Sequence, residues 1–474
     1  MSELIRCDLA IIGAGAGGLS VVAVASQLGL RVVLAEEKKM GGDCLNYGCI
    51  PSKSIIAAAR AAKGFLSSAP FGIEPAKPAV DFKKVMEYIA NVIGLIGKND
   101  SVERFTTLGV NVIQAHAEFI DKKAIQVGNV LIQARTVVIA SGSTPFIPEI
   151  PGIDFINYFT NETIFNLSEK PTHLIIIGAG PIGCELAQAF CILGIKVTLI
   201  EARNMMPHDE PDLVDLLRQQ FILDGITLYE NYQITEVSNS NHGIDVLIQS
   251  QQDHHSIHGS HLLVATGRRP NITRLALEKA NITYTAKGIT VCSRLRTTNK
   301  RVYAIGDATG GYQFTHIANY HAGIVIRNII FKIPSKVNYS AIPWVTYTTP
   351  ELAHTGLTAV EAKARYNNVR VLSLPFSDND RAQTEHKTIG CIKVIVTKKG
   401  KILGCSILGE QAGELILPWI MLIKNGDSLR SLTDLIIPYP TLSELNKRIA
   451  SEFYAPALFS NTVRRIVRLL KYLG

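Results

Sequence analysis

The stretch that decides the fold is Cys7–Gly18, which reads Cys-Asp-Leu-Ala-Ile-Ile-Gly-Ala-Gly-Ala-Gly-Gly. Its first half is apolar and predicts a short buried strand. Its second half matches the pattern G-x-G-x-x-G at Gly13, Gly15 and Gly18. In this pattern the first glycine permits a tight turn, the second lets a pyrophosphate approach the backbone, and the third lets the next helix pack closely on the strand. We therefore expect a strand, a phosphate-binding turn and a helix here.

The residues that follow complete the unit. An apolar run from Leu19 predicts the helix, whose N-terminus attracts phosphates. Arg31–Ala35 predicts a second strand, and Glu36 stands at its end, where an acid binds the hydroxyls of a ribose. A lone G-x-G-x-x-G is a weak signal, but strand, helix, strand and acid in this order predict a dinucleotide-binding βαβ unit.

A second unit of the same kind begins 165 residues later. His173–Ile177 predicts its first strand and Lys196–Ile200 its second. The residues of this second fingerprint are Gly178, Gly180, Gly183 and the acid Glu201. Two such units predict an α/β fold with two Rossmann-like domains, and two dinucleotides on one chain suggest electron transfer between them.

A pair of cysteines follows the first unit. Gly41–Lys53 reads Gly-Gly-Asp-Cys-Leu-Asn-Tyr-Gly-Cys-Ile-Pro-Ser-Lys, with four residues between Cys44 and Cys49. Two cysteines at this spacing can come within bonding reach and cycle between disulfide and dithiol. The alternatives are two unrelated buried thiols or half of a metal site. Since no second Cys or His cluster completes a zinc site, we favour a redox pair and expect no bound metal.

Composition excludes several classes of protein. The 474 residues predict about two to four domains, and 47% hydrophobic with 19% charged residues is typical of a globular chain. The net charge of +8 is modest and no basic stripe accompanies it, which argues against nucleic acid. We expect no transmembrane segment and no signal peptide. The remaining cysteines are scattered, as reduced thiols of a cytoplasmic protein are: Cys7, Cys184, Cys191, Cys292, Cys391 and Cys405.

Residues 41–53 closely resemble the redox-active disulfide segment of the class I pyridine nucleotide-disulfide oxidoreductases. These flavoprotein disulfide reductases include lipoamide dehydrogenase, glutathione reductase and mercuric reductase, and the resemblance covers essentially the whole chain. It implies that the first dinucleotide site holds FAD and the second holds NAD(P)H. It also implies that electrons pass from NAD(P)H through the flavin to Cys44 and Cys49, and on to an acceptor.

Three further segments support the resemblance. Arg301–Ala308 resembles the second FAD motif of the family, in which Gly306 and Asp307 approach the ribityl chain. Ala140–Gly142 and Ala265–Arg268 resemble the segments that carry the chain between the two nucleotide domains, with a serine where threonine is usual in the first. The cofactor-binding residues that this adds are Ser141, Gly142 and Gly267, together with Gly42 and Lys53 from the cysteine segment.

The resemblance also implies the domain organisation. The expected divisions are a FAD domain over 1–145, an NAD(P) domain over 146–268, a return to the FAD domain over 269–335, and an α+β dimerisation domain over 336–474. Alternating residues from Cys391 and a turn at Lys399 predict a hairpin in the last. In the family this domain forms a homodimer in which each protomer completes its partner's active site.

The resemblance assigns roles to the catalytic residues. Cys49 is the sulfur next to the flavin and Cys44 meets the acceptor. Lys53 and Glu185 match an ion pair near flavin N5, where a cation stabilises the reduced ring. The alternative for Glu185 is an exposed glutamate of a helix.

Glu201 indicates which nicotinamide coenzyme is preferred. A carboxylate here repels the 2′-phosphate of NADPH, so we expect a preference for NADH. Arg203 lies two residues further on and partly offsets this repulsion.

The largest departure from the family lies in Pro438–Glu444, a segment that carries a histidine where this chain has Tyr439. In the family that histidine moves protons to and from the distal thiol, because its pKa lies near neutrality. Tyrosine, with an ordinary pKa of about 10, is a poor base at neutral pH. Glu444, which orients the histidine in the family, is retained. We therefore expect weak activity on lipoamide and on glutathione disulfide.

Tyrosine at this position is instead a feature of mercuric reductases, where the phenol contacts a soft metal bound by thiolates. Pro343–Leu352 and Asp378–Ala382 also resemble that branch. Residues 471–474 lack the cysteine pair that hands Hg(II) to the inner disulfide in mercuric reductase, so we expect inefficient mercury detoxification. The prediction is a mercuric-reductase-like enzyme whose acceptor is a soft metal ion, a quinone or an atypical disulfide.

Two other functions are considered. The first is a dihydrolipoamide dehydrogenase of a multienzyme complex, and the second is a non-catalytic sensor whose disulfide switches conformation. Retention of both cysteines, of Lys53 with Glu185, and of both nucleotide sites favours an enzyme.

The end of the chain, residues 461–474, carries a separate pattern. Apolar residues at helical spacing alternate with basic ones and predict an amphipathic helix. The apolar set is Val463, Ile466, Val467, Leu470 and Leu473, and the basic set is Arg464, Arg465, Arg468 and Lys471. Such a helix either lies on an anionic membrane surface or packs its apolar side on the dimer. We favour packing, with peripheral membrane contact as the alternative.

Overall fold

The first glycine-rich stretch forms a turn between a strand and a helix, as its pattern predicts. The structure, a computed structural model, describes residues 3–241 and 243–472. The strands up to the first crossover are β1 (Glu3–Ile12), β2 (Val32–Ala35), β3 (Asn111–Ile113), β4 (Ala117–Phe119), β5 (Ala124–Val127), β6 (Val130–Ile139) and β7 (Ser143–Pro145). The helices are α1 (Ala16–Gln27), α2 (Gly42–Asn46), α3 (Cys49–Leu66), α4 (Phe82–Gly97) and α5 (Val102–Thr107).

These strands form a sheet of order β3-β2-β1-β6-β5-β4. The first four pair in parallel, with Ile11 opposite Leu34 and Ile12 opposite Ile139, whereas β4 and β5 run antiparallel. Strand β2 begins at Val32, one residue later than predicted, and the side chain of Arg31 just before it pairs with Asp8 at 3.3 Å. The carboxyl ends of β1, β2 and β6 meet at one edge, where ligands of such sheets bind.

The second unit repeats this plan in the middle of the chain. Its strands are β8 (His173–Ile177), β9 (Lys196–Glu201), β10 (Thr227–Glu230), β11 (Gln233–Ser240), β12 (Gly243–Gln249), β13 (His254–Gly259) and β14 (His261–Val264), and its helices are α6 (Pro181–Ile192) and α7 (Pro211–Leu223). Strands β10-β9-β8-β14 form a parallel sheet, and β11-β12-β13 form an antiparallel one. The predicted second βαβ unit is therefore present.

The chain then returns to the first unit. This part contains β15 (Arg268–Pro270), β16 (Tyr284–Thr285), β17 (Gly288–Ile289), β18 (Val302–Ala304) and α8 (Thr315–Ile329). Strand β15 pairs with β7, so the two crossovers run side by side. Strand β18 adds to the first sheet in parallel with β6, which brings the segment after it to the same carboxyl edge.

The C-terminal unit is built on an antiparallel sheet of order β19-β20-β23-β22-β21. Its strands are β19 (Pro343–Thr346), β20 (Glu351–Gly356), β21 (Val369–Pro375), β22 (Cys391–Thr397) and β23 (Ile402–Gly409). Its helices are α9 (Ala359–Arg365), α10 (Asp380–Thr384), α11 (Ala412–Leu415), α12 (Leu417–Asn425), α13 (Arg430–Thr433), α14 (Glu444–Leu458) and α15 (Asn461–Leu470). The hairpin predicted from Cys391 is confirmed by the pairing of β22 with β23.

Packing between units places the cysteine pair. Helix α3 begins at Cys49 and buries Ile55, Ile56 and Ala59 in a core shared with Phe190 of α6. Burial of an isoleucine side chain stabilises a fold by about 1.5–3 kcal/mol, and the smaller Ala59 contributes less. Because α3 and α6 belong to different nucleotide units, this core fixes the start of α3 against the second unit.

None of the helices in the described ranges combines the length and the apolar character that a membrane crossing needs.

Candidate active site

One cavity of about 1260 Å³ lies at the carboxyl edge of the first sheet. Its volume exceeds the roughly 300–1,000 Å³ of an ordinary small-ligand pocket, as an extended dinucleotide requires. It brings together residues from all three units. Twelve predicted site residues line it: Gly13, Gly15, Glu36, Gly42, Cys44, Cys49, Lys53, Ser141, Gly142, Glu185, Gly306 and Asp307.

The glycine-rich loop fits a pyrophosphate closely. Gly13 has φ of +104°, and a Cβ there would lie 2.3 Å from the carbonyl oxygen of Ala140. A Cβ on Gly42 would lie 2.7 Å from the Cα of Gly15, so the two backbones meet beside the cavity. Gly18 lies outside the lining and serves packing instead, since its Cβ would lie 1.9 Å from the oxygen of Gly13. Only glycine is compatible with this cradle.

The carboxylate of Glu36 is held at the end of β2. It accepts hydrogen bonds from the backbone N–H of Ala14 at 2.6 Å and of Lys38 at 2.7 Å. The acid predicted to bind a ribose is thus fixed beside the loop predicted to bind the pyrophosphate. These donors and acceptors fit the adenosine half of FAD.

The second flavin motif contributes a buried acid. Asp307 accepts a hydrogen bond from the hydroxyl of Ser143 at 2.6 Å, and burial raises the pKa of its carboxyl group. The same hydroxyl accepts from Nε of Arg268 at 2.8 Å. The backbone N–H of Gly306 donates to Nδ1 of His321 at 3.1 Å. Burial lowers the pKa of His321 to about 4, so the ring stays neutral and can accept this bond.

The crossover segments lie together. Ser141 donates from its hydroxyl to the carbonyl of Asn271 at 2.7 Å, and the backbone N–H of Asn271 donates to the carbonyl of Gly142. The carbonyl of Gly267 accepts from the backbone N–H of Phe146. The two segments that resemble family crossovers therefore support one wall of the cavity.

The cysteine pair has a defined polarity. A hydrogen bond from the Cys44 thiol, with further contributions from the Thr315 hydroxyl and the Lys53 ammonium, lowers the pKa of Cys49 to about 6. Thr315 Oγ1 lies 3.3 Å from the Cys49 sulfur. The pKa of Cys44 is raised, first by the same hydrogen bond and then by burial. Cys49 is thus the thiolate of the reduced pair, and Cys44 keeps its proton.

A partly buried ion pair lies beside the cysteines. Lys53 Nζ is 2.7 Å from a carboxylate oxygen of Glu185, which is only 4% exposed. The second oxygen of Glu185 accepts from the backbone N–H of Tyr347 at 2.8 Å, and the Lys53 ammonium lies over the Tyr347 ring at 4.5 Å. The alternative of an exposed helix glutamate is therefore wrong. Lys53 is held as a cation that faces the cavity.

The second glycine-rich loop lies on the nicotinamide unit, between β8 and α6. A Cβ on Gly183 would lie 1.8 Å from the carbonyl oxygen of Gly178, which gives the close helix packing that the pattern predicts. Gly180 caps the N-terminus of α6. Glu201 accepts from the backbone N–H of Ala179 at 2.8 Å, as Glu36 does at the first site. Pro181 and Ile182 open α6 and line the main cavity, which connects the two sites.

Tyr439 and Glu444 lie apart from the cysteines of their own chain. Tyr439 is 71% exposed and donates from its hydroxyl to Asp380 at 2.9 Å. Glu444 lines a separate cleft of about 390 Å³ and accepts from the backbone N–H of Thr441 at 3.4 Å. One protomer alone therefore does not bring either residue to Cys44.

Three neighbours of the site carried no assigned role in the sequence. They are Thr315 beside Cys49, Tyr347 against the ion pair, and Arg268, which contacts both Ser143 and Asp43. Thr315 follows the second flavin motif by a few residues, and Arg268 ends a segment that resembles a family crossover. The sequence motifs could therefore have predicted that both lie near the site. Tyr347 lies on the C-terminal unit, and nothing in its own segment links it to Lys53.

Two dinucleotide cradles, a polarised cysteine pair and a cation beside it define a flavoprotein of the disulfide-reductase class. The family described as pyridine nucleotide-disulphide oxidoreductase matches residues 7–322, and its dimerisation domain matches residues 342–449. This chain belongs to that family. It is an FAD-dependent oxidoreductase that uses NAD(P)H, and its dimerisation domain implies a homodimer.

Named relatives fall in two groups. The chain is 32% identical to a mercuric reductase of Staphylococcus aureus over 94% of its length and 82% of the relative. It is also 32% identical to a dihydrolipoyl dehydrogenase of Geobacillus stearothermophilus, over 93% of its length and 95% of the relative. Among solved structures it is similar to the HOCl-induced flavoprotein disulfide reductase RclA from Escherichia coli, with a TM-score of 0.85 and 28% identity over 94% of this chain and 99% of that one. RclA has also been solved as a Cu(II) complex.

The polarity of the cysteine pair gives a testable pH dependence. In the two-electron-reduced enzyme, Cys49 is a thiolate above its pKa and a thiol below it. The long-wavelength charge-transfer absorbance between thiolate and flavin should therefore fall as the pH drops through about 6. Thr315→Val removes a donor to the thiolate and should move the midpoint to higher pH.

Thr283→Val, at an exposed threonine of the same unit, is the control and should leave the midpoint unchanged. A midpoint near the ordinary thiol value of about 8.5, or one that Thr315→Val does not move, would contradict this account of the pair.

Proposed function

We propose that this enzyme transfers electrons from NADH to a soft metal ion through Cys44 and Cys49, with a quinone or an atypical disulfide as the remaining acceptors. The observation that carries the proposal is the exposed Tyr439 in the position where the family's proton-shuttling histidine is expected. Thiolates with a phenol oxygen suit a soft metal, whereas dithiol–disulfide exchange needs a base. The existence of a Cu(II) complex of RclA adds support.

The residues of one protomer supply the first half of the reaction. FAD, when bound, supplies the two-electron relay between the nicotinamide and the cysteines. Lys53, held by Glu185, would place a positive charge beside a bound flavin and so favour its reduced form. Cys49 is a thiolate on the cavity wall, and Cys44 retains its proton until it meets the acceptor.

The second half of the site comes from the other protomer. Tyr439 and Glu444 lie on the dimerisation unit, far from the cysteines of their own chain, as residues that serve a partner must. In a two-fold dimer Tyr439 would lie beside the partner's Cys44, and two identical sites would result. The domain boundaries at 145, 268 and 335 belong to the same proposal.

The remaining predicted residues are assigned to cofactor binding. The FAD set is Gly13, Gly15, Gly18, Glu36, Gly42, Lys53, Ser141, Gly142, Gly306 and Asp307, and the nicotinamide set is Gly178, Gly180, Gly183, Glu201 and Gly267. Their cradles and acids support this assignment.

An anaerobic titration with NADH, followed by addition of Cu(II) or Hg(II), tests the function. We expect a charge-transfer band after two electrons and steady NADH oxidation when the metal is present. Lipoamide and glutathione disulfide should be turned over slowly, because Tyr439 cannot act as a base near neutral pH. Cys44→Ser is the matched variant, and it should lose metal-dependent turnover while it still binds flavin.

A band without metal turnover would direct the search to quinones and disulfides. Rapid turnover of lipoamide would instead identify a dihydrolipoamide dehydrogenase. Bleached flavin without a band would mean that the cysteine pair is disconnected, and the mechanism would be wrong.

The preference for NADH rests on Glu201. Glu201→Gln removes the charge that repels a 2′-phosphate and weakens the acceptor for a ribose hydroxyl. The ratio of kcat/KM for NADH over that for NADPH should fall by about tenfold, as for loss of one charge-assisted hydrogen bond. The decisive observation is a higher kcat/KM for NADPH, because a variant that had only lost structure would not use NADPH better.

Glu236→Gln, at an exposed carboxylate of β11, is the control and should leave the ratio unchanged. If Glu201→Gln leaves the ratio unchanged as well, Glu201 does not set the preference.

We also place the protein in the cytoplasm, with α15 in peripheral contact with a membrane. All eight cysteines, each within the described residues, are free thiols. Helix α15 buries none of its residues, and Leu469 and Leu470 are 67% and 57% exposed. The apolar side of α15 is therefore uncovered within one protomer, and the vesicle experiment distinguishes its packing on the dimer, which the sequence favours, from contact with a membrane. The predicted contribution of Leu473 lies outside the described residues.

Sedimentation with vesicles tests the membrane contact. The dimer should sediment with an equal mixture of phosphatidylcholine and phosphatidylglycerol and stay in solution with phosphatidylcholine alone. Arg464→Gln with Arg468→Gln should weaken binding by roughly fivefold per charge removed.

Lys122→Gln with Lys300→Gln removes the same charge from exposed sites elsewhere and should leave binding intact. Equal sedimentation of the wild type and of a chain that lacks 461–474 would rule the contact out. Protease added to intact cells should leave a cytoplasmic chain uncut.

A further inference from the structure

The hydrogen bond between Tyr439 and Asp380 defines which way the phenol faces. Tyr439 donates its hydroxyl proton to Oδ2 of Asp380 at 2.9 Å. A carboxylate can only accept, and a phenol has one proton to give. The Tyr439 oxygen therefore presents its lone pairs, and no proton, to whatever approaches it. This carboxylate also raises the pKa of Tyr439, so the ring stays a neutral phenol near pH 7.

The buried side-chain amide of Asn379 fixes the positions of Tyr439 and Asp380 relative to each other. Asn379 is 4% exposed and caps α10, accepting from the backbone N–H of Ala382 at 3.0 Å. Its side-chain NH₂ group donates to the carbonyl of Thr441 at 3.0 Å, two residues after Tyr439. One side chain thus fastens the segment that carries Asp380 to the segment that carries Tyr439. Their contact follows from this anchoring and is not a chance meeting of two surface groups.

The charge of Asp380 is not neutralised by a neighbour. Among the described residues Asp380 takes part in no ion pair, whereas Asp378 on the same turn pairs with Arg448 at 3.4 Å and Arg381 pairs with Glu385. The cleft that Asp380 lines also contains Glu444, Lys447 and Arg448 from α14, but Lys447 donates to the carbonyl of Leu435 and Arg448 pairs with Asp378. The negative charge of Asp380 therefore polarises the phenol and makes its oxygen a better ligand for a cation.

We propose that Asp380 is a positioning residue that fixes Tyr439 as an acceptor-only group and so selects a metal cation as the electron acceptor at the partner's Cys44. This inference rests on the proposed function, because it needs Tyr439 to reach the partner's cysteine pair. It reduces the candidate electron acceptors to one class, metal cations. A quinone and a disulfide each take up two protons when reduced to neutral products; Cys44 carries only one, and a phenol whose proton is committed to Asp380 does not supply the other. A metal cation takes up no proton: the Cys44 thiol and the Cys49 thiolate reduce two Cu(II) ions to two Cu(I) ions, form the Cys44–Cys49 disulfide, and release the Cys44 proton to solvent.

Steady-state kinetics with Cu(II) as the probe test the proposal. Asp380→Ala should raise KM for Cu(II) by about tenfold, as loss of a hydrogen bond to a charged group does, with little change in kcat. Tyr439→Phe should do the same. The double variant should be no worse than Tyr439→Phe alone, since Asp380 acts only through the phenol. Asp380→Glu should recover most of the affinity, and Asp378→Ala, the neighbouring carboxylate, should behave as wild type.

Additive effects in the double variant, or an Asp380→Ala enzyme with unchanged KM, would overturn the proposal. So would faster reduction of quinones than of Cu(II) by the wild type. Failure of the proposed function is recognised separately, because the wild type itself then lacks the charge-transfer band with NADH or the turnover of Cu(II). In that event an ultraviolet pH titration still decides on Asp380. The absorbance difference between the wild type and Tyr439→Phe gives the titration of the Tyr439 phenol alone. In the Asp380→Ala background the midpoint of this titration should lie at lower pH.

Discussion

The ion pair between Lys53 and Glu185 is the contact on which the arrangement of this enzyme depends. Lys53 lies one turn after Cys49 on α3, and Glu185 lies on α6 of the other nucleotide unit. The stability lost on breaking this ion pair lies between the roughly 1 kcal/mol of an exposed pair and the roughly 3–5 kcal/mol of a fully buried pair, because Lys53 remains partly exposed. Its larger importance is geometric. It joins the cysteines, the flavin cradle and the nicotinamide unit at one point.

The electrostatics of the site follow from that arrangement. The hydrogen bond from Cys44, with Thr315 and Lys53, stabilises negative charge on Cys49, whereas the hydrogen bond to Cys49 and burial raise the pKa of Cys44 and keep it protonated. Two chemically identical thiols are thus given different tasks by their surroundings. On the dimerisation unit the Tyr439 hydroxyl donates to Asp380, so a neutral, oriented oxygen stands where the family's segment carries a titrating histidine.

Local patterns in the sequence predict the fold well, because each depends on neighbouring residues. The glycines at 13 and 178, with their strands, helices and acids, identify both βαβ units, and alternation from Cys391 identifies a hairpin. Contacts between distant segments are harder to predict. Tyr347 reaches Glu185 and Lys53 only because the C-terminal unit packs over the cavity. Likewise, Asp380 meets Tyr439 through an amide that bridges two loops 62 residues apart.

The paired crossovers β7 and β15 have a consequence for how this enzyme can change. The chain leaves the flavin unit and returns to it at adjacent strands, so the nicotinamide unit is an insertion whose two ends meet. Inserted domains of this kind are readily exchanged or lengthened, since the chain of the surrounding domain is interrupted only where the insertion begins and ends. Coenzyme choice can therefore be altered by replacing one block of sequence. Any replacement block must carry a glutamate at the position of Glu185, because Lys53 of the flavin unit pairs with that carboxylate.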